Sequence, residues 1–258
     1  NLAVNEGFLE TAVLRENVVK LARQLGYTPK SARSATTTVD ISVQTTFPYP
    51  TSVTIAAGLV LNFTGLDNNN FVFSLPQDNT VSVDSITGIA SFPNTVLYEG
   101  LFLKDTFVRN TSERQRFILT NKQSDTTSMI VEVTSGTITE RYLKAEDITK
   151  IDSNSKVYFL EESELGAPEI LFGDGVIGKD LANGDVVEVI YTTSNGSGAN
   201  GLKVFENIGT FRDNALNAIT SGITITVNRF PDGGAPQETT ESIKLSLIHI
   251  SEPTRPSI

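Results

Sequence analysis

The stretch EILFGDGVIGKDLANGDVVEVIYTT, residues 169–193, carries two apolar runs around a core dense in glycine and aspartate. Gly173, Gly175 and Gly178 fit the dinucleotide pattern G-x-G-x-x-G, and Gly173 with Gly178 and Lys179 comes within one residue of a P-loop. Both phosphate motifs need a helix directly after the glycines, so that its N-terminus meets the anion. Only Val176 to Ala182 separate the glycines from Asn183-Gly184, a tight-turn dipeptide, and a β-branched run follows at once. Asp180 stands where a P-loop offers Ser or Thr to magnesium, and its carboxylate would repel phosphate. Asp174 and Asp185 are acids of a turn that cap their own backbone, not a cation pair. The expectation is a strand–loop–strand hairpin, with glycines for positive φ and aspartates for local hydrogen bonds.

Outward from this stretch the same style continues. Short apolar runs alternate with turns: SVTI, GLVLNF, FVFSL, GIASF, VLYEGLFLK, RQRFILTN, SMIVEVT, TERYLK, KVYFLEE and GITITVN. Asp67–Asn70 reads as a turn between Leu59–Phe63 and Phe71–Leu75, because EF-hand ligand spacing is absent. A short helix is expected around Phe211–Ile219. Residues 9–25 form the one strong helical pattern, with Leu14, Val18, Leu21 and Leu25 on one stripe, Gly26 at the C-cap and Pro29 beyond. NLAVNEGF before it reads as the end of a preceding helix, and PQETTESIK as the start of another.

Composition narrows the chemistry. The chain has 258 residues, a net charge of −10 and no cysteine, so disulfides and thiolate chemistry are excluded. An acidic surface repels nucleic acid, and the densest basic cluster, Arg109, Arg114 and Arg116, reads as a solvated strand face. No apolar run reaches the length of a membrane span. The last residues, LSLIHISEPTRPSI (245–258), read as adapter-derived: Leu245 to Arg255 matches the translation of a transposase-type sequencing adapter. That segment holds His249, the single histidine, so native sequence is expected to stop near Lys244.

The motif resembles the signature of baseplate J-like proteins of contractile phage tails. The matching residues are Phe172, Gly173, Asp174, Gly175, Gly178, Leu181, Gly184, Asp185 and Tyr191, then Gly196, Asn200 and Gly201. TAVLRENVVKLARQLGYTPKSARSA (11–35) is similar, more narrowly, to wedge proteins of T-even-type myophages. Ile55 and Gly58 in SVTIAAGLVLNF, and DGGAPQETTESIK (232–244), resemble further family segments in the same order. The resemblance implies a structural virion subunit, assembled in the bacterial cytoplasm and placed in the tail baseplate. It implies partners in a second copy of the chain and other wedge proteins, ring formation around the hub, and a part in triggering sheath contraction. It implies no catalytic residue, cofactor, metal, nucleic acid, membrane or small-molecule substrate.

The expected fold is mainly β with α+β elements: an N-terminal helical segment, consecutive small antiparallel β-domains and the start of a C-terminal α/β region. A helical segment (1–34) leads into β-rich middle domains (35–155) and a β-hairpin domain with the motif (156–201). The start of a C-terminal α+β domain (202–244) precedes the adapter-like tail (245–258). Two other functions compete. One is a receptor- or carbohydrate-binding β-module, disfavoured by the absence of tryptophan. The other is a glycosidase using Glu161, Glu162 or Glu164, disfavoured because acids at a strand end ordinarily face water.

Overall fold

The computed structural model describes residues 11–65, 68–112, 115–163 and 166–251. NLAVNEGF lies outside the described residues, as do Arg114 and Glu164. The protein is mainly β, with one helix near each end of the described chain.

Six strands form the first sheet, in the spatial order β14 (Val204–Asn207), β3 (Gly58–Thr64), β4 (Asn70–Leu75), β6 (Ile89–Glu99), β1 (Thr36–Gln44) and β17 (Ile223–Asp232). A four-stranded sheet, β16 (Ala218–Ile219), β15 (Phe211–Asp213), β2 (Ser52–Ile55) and β5 (Asn79–Ser82), shares its core. Val53, Ile55 and Phe211 from the small sheet pack with Ile41, Phe63, Phe73, Phe92 and Leu97 from the large one. The expected pairing of Leu59–Phe63 with Phe71–Leu75 is present as the β3–β4 hairpin, and Asp67 at its turn lies outside the described residues.

The remaining sheet has seven strands: β7 (Phe102–Val108), β13 (Val186–Thr193), β9 (Ser124–Ser135), β10 (Ile138–Lys144), β11 (Val157–Glu162), β12 (Pro168–Phe172) and β8 (Phe117–Ile118). It curls around a core of Val131, Val133, Tyr142, Ile170, Phe172, Val187, Val189 and Tyr191. Its two edge strands approach each other. Phe107 meets Phe117 with ring centres 5.5 Å apart, and just beyond β8 Thr120 binds the Asp105 carboxylate through its N–H at 2.8 Å. β10 and β11 run parallel, a departure from the small antiparallel β-domains expected, since residues 145–156 are long enough to carry the chain back.

The expected boundaries at 155/156 and 201/202 fall inside this organisation. β11 and β12 extend the sheet of β9 and β10, while β14 and β17 complete the sheet begun by β3 and β1. The seven-stranded sheet is thus inserted between two parts of the first one.

Three local readings need correction. GIASF and VLYE are one strand, β6, carried past Pro93 by a bulge opposite Asp40, whose carboxylate accepts the Asn94 N–H at 2.7 Å. The Phe211–Ile219 helix is a β15–β16 hairpin. Asp213 accepts N–H bonds from Ala215 and Asn217 there, and this local bonding outcompetes a helical turn. On the first helix, α1 (Arg15–Gln24), the buried residues are Val18, Val19 and Ala22. Leu14 and Leu25 are exposed at the two caps, so the sequence stripe is rotated from the packed face. The C-terminus does close as expected: the Gly26 and Tyr27 N–H groups bind the Arg23 and Ala22 carbonyls in a Schellman arrangement, with Gly26 at φ +78°.

The second helix, α2 (Thr240–Ser251), runs on into the adapter-like segment as far as Ser251. Ile243 and Leu247 are buried against Val18, Val19 and Ala22.

Candidate functional site

The glycine-rich loop joins β12 to β13, yet these strands do not pair. β12 lies between β11 and β8, and β13 lies between β7 and β9, so the expected hairpin is absent. The two apolar runs enter one sheet at positions separated by three other strands. Nothing in the local sequence specifies this, because a strand's partner is chosen by side-chain burial across the whole sheet.

Within the loop the chain folds back on itself. An added Cβ at Gly173 would lie 2.1 Å from the Gly178 carbonyl carbon. Gly173 is therefore a steric glycine with no positive φ, while Gly175 and Gly178 hold φ of +83° and +85°. Gly175 N–H binds the Gly178 carbonyl at 3.1 Å; Gly178 and Lys179 N–H groups bind the carbonyls of Asp152 and Ser155, both at 2.9 Å. The Asp174 carboxylate accepts from Val176 and Ile177, both at 2.9 Å, and these N–H groups, that of Ile177 first, hold it below the usual carboxylate range.

The other motif residues are equally committed. Asp180 accepts from Leu181 N–H and Asp185 from Ala182 N–H, each at 2.8 Å. Leu181 is buried in the sheet core. Gly184 N–H reaches the Arg109 carbonyl and Asp185 returns its own carbonyl to Arg109 N–H, pinning the loop end to β7. Tyr191, fully buried, donates its hydroxyl to Asp105 at 3.0 Å. The Lys179 ammonium, the group a P-loop would aim at phosphate, sits 3.4 Å from Glu140. The loop amides named above turn inward, onto protein oxygens. No group of three or more His, Asp or Glu among the described residues is placed to hold a metal.

The two glycosidase candidates among the described residues, Glu161 and Glu162, are ion-paired. Glu162 takes a fork from Arg15 at 2.8 and 3.0 Å, and Glu161 pairs with Arg23 at 2.8 Å. Arg116, read as part of a solvated strand face, instead forks onto the buried Glu169 at 2.7 and 2.9 Å.

The second half of the motif forms part of a buried polar joint where the chain crosses between the six- and seven-stranded sheets. Ser34 N–H binds Asp125 at 2.9 Å, and the hydroxyls of Ser34 and Ser128 both meet Thr192 at 2.9 Å. Asn195 donates its amide to Glu99 at 2.7 Å. Burial pushes the Glu99 carboxyl up, the Asn195 bonds oppose this, and the nearby Asp125 charge adds to it. Gly196 N–H binds the Ser194 hydroxyl, which donates to the Arg33 carbonyl. Asn200 pairs its whole amide with the Gly234 backbone, accepting its N–H and donating to its carbonyl, both at 2.9 Å. Gly201 N–H reaches the Pro231 carbonyl at 2.7 Å.

Sequence reasoning found Gly196, Asn200 and Gly201 but missed Ser34, Glu99, Asp125 and Thr192. These come from segments far apart in the chain and carry no local signal beyond polar residues inside β-branched runs.

No family model matches the chain. A curated protein does: the baseplate wedge protein gp6 of Enterobacteria phage T4 is 24% identical across 95% of this chain. The chain spans 39% of that relative's length. This distant similarity is to a phage baseplate protein and suggests a structural role in a phage tail.

Proposed function

We propose that this chain is part of a baseplate wedge subunit of a contractile phage tail. It would join wedges into a ring around the hub and shift as a body when the baseplate triggers sheath contraction. Its partners are other wedge proteins and a second copy of itself, within the virion. The observation that carries this reading is the similarity to a baseplate wedge protein over nearly the entire chain. The geometry suits the role: hydrogen-bonded crossings between the two large sheets transmit displacement without local bending. The glycine loop serves as a fixed corner of the sheet. Cryo-EM of the virion encoding the full protein tests this, with density expected in the baseplate. Density in the capsid or tail fibres would refute it.

A further inference from the structure

The six-stranded sheet ends on β17, which pairs with β1 along one edge. Among the described residues no strand pairs with its other edge. Backbone bonding shows which groups that edge presents. Gln44 N–H binds the Gly222 carbonyl at 2.9 Å, and the register from there to Val39 opposite Val227 is unbroken. Bonding alternates along an antiparallel pair, so Thr224 and Thr226 bond toward β1. The N–H and C=O groups of Ile223, Ile225 and Val227 therefore point away from β1, to the open edge.

Edge strands of folded proteins are ordinarily blunted by charge, proline or a bulge. From Ile223 to Val227 β17 has none of these. The bulge, Arg229 and Pro231 come only afterwards, where Thr37 and Gly201 already take the Arg229 and Pro231 carbonyls. The core stops short at the same edge. On β1, Val39, Ile41 and Val43 are fully buried, whereas their partners Val227, Ile225 and Ile223 are only part-buried against that core. Thr224 and Thr226 are exposed on the opposite face. The edge thus offers unpaired amides, a half-covered apolar row and no charge. Its complement is an extended, uncharged segment of alternating apolar and polar residues, and β17 has that sequence itself.

We propose that β17 is the seam on which two copies of this chain join their sheets, antiparallel about a twofold axis at Ile225. This names the surface for the self-pairing that the wedge reading above proposes, and rests on that reading for its partner. In this register Ile225 faces its own counterpart, and Ile223 faces the partner's Val227. All three outward residues then meet outward residues within the uncharged stretch, and the apolar rows of both copies form one face. A slip of one residue would set the second copy's threonines over the core.

The opposed threonines make the test specific for register. Thr224 faces the partner's Thr226 as a non-bonded pair, with Cα atoms about 4.5 Å apart and inside disulfide reach. The chain has no cysteine, so Thr224→Cys and Thr226→Cys are unique labels. Oxidised as a mixture, the two variants are expected to cross-link into dimers, whereas each alone cross-links poorly. In sedimentation equilibrium the full chain is expected to dimerise at micromolar concentration. Thr224→Lys/Thr226→Lys sets like charges face to face and weakens the dimer about tenfold or more. Its far-UV spectrum stays unchanged, because both sites are exposed. Mixing it with Thr224→Glu/Thr226→Glu restores the dimer. A chain that stays monomeric, a dimer untouched by the lysines, or cross-linking no stronger in the mixture would overturn the seam. These readouts are blind to where the protein sits in the virion, so a failed seam is distinguished from a failed wedge assignment, which the virion density reads.

Discussion

Replacing Gly173 by alanine places a methyl group inside the folded-back loop. Its carbon would stand 2.1 Å from the Gly178 carbonyl carbon, 2.2 Å from that oxygen and 2.5 Å from the Gly178 Cα. All three are backbone atoms, so no side chain can rotate aside. Reaching an ordinary carbon contact of about 3.5 Å requires the 173–178 closure to open by over 1 Å. That displacement breaks Gly175 N–H to Gly178 and puts at risk Gly178 to Asp152 and Lys179 to Ser155, bonds now at 3.1, 2.9 and 2.9 Å. At roughly 1 kcal/mol net for each of the three bonds, with about 1–3 kcal/mol for overpacking, the cost is about 4–6 kcal/mol. Gly184 provides the internal control. It holds φ +88° with no atom within 4 Å of an added Cβ, so Gly184→Ala meets only backbone strain of about 1–2 kcal/mol. Urea unfolding followed by tyrosine fluorescence suits the comparison, because Tyr142, Tyr158 and Tyr191 all lie in the affected core. A cost for Gly173→Ala no greater than that of Gly184→Ala would refute the steric account of the loop.

Asn200→Ala leaves the buried Gly234 N–H and its carbonyl without the amide that satisfies both, at a cost of about 2–3 kcal/mol. Faster amide exchange at Gly234 checks it. Tyr191→Phe removes hydroxyl contacts to Asp105 and Thr120 while keeping the ring, and lowers stability by about 1–2 kcal/mol in the same urea assay. For Glu99, burial raises the folded pKa above the ordinary 4.5, so its stabilising contribution is whole below that value and is lost as pH rises through the folded one. The stability of Glu99→Gln relative to the parent therefore improves from about pH 4 to pH 7, measured as the difference in urea midpoints; a pH-independent difference would refute this.

Much of the secondary structure was legible because period and turn chemistry are local. The β3–β4 hairpin and the Gly26 cap follow from residues within a few positions of each other. The same locality explains the errors. Pro93 reads as a strand break until Asp40, on another strand, supplies the bulge with an acceptor. The run from Phe211 to Ile219 carries apolar residues at helical spacing, and only the Asp213 bonds reveal a turn.

For the candidate site, the sequence by itself determined that no phosphate motif is present, since Asp180 and the Asn183-Gly184 turn are incompatible with one. It also determined that the aspartates serve their own turn, because carboxylates two or three residues from a free N–H bind it wherever the loop sits. Only the tertiary structure decided that β12 and β13 lie apart in one sheet, that Gly173 is needed for space instead of φ, and that Glu99, Asp125, Ser34 and Thr192 meet at a buried joint. Strand order is set by the burial of whole sheet faces, and close approach of backbones depends on how distant segments pack. Neither quantity is written in any short window of residues.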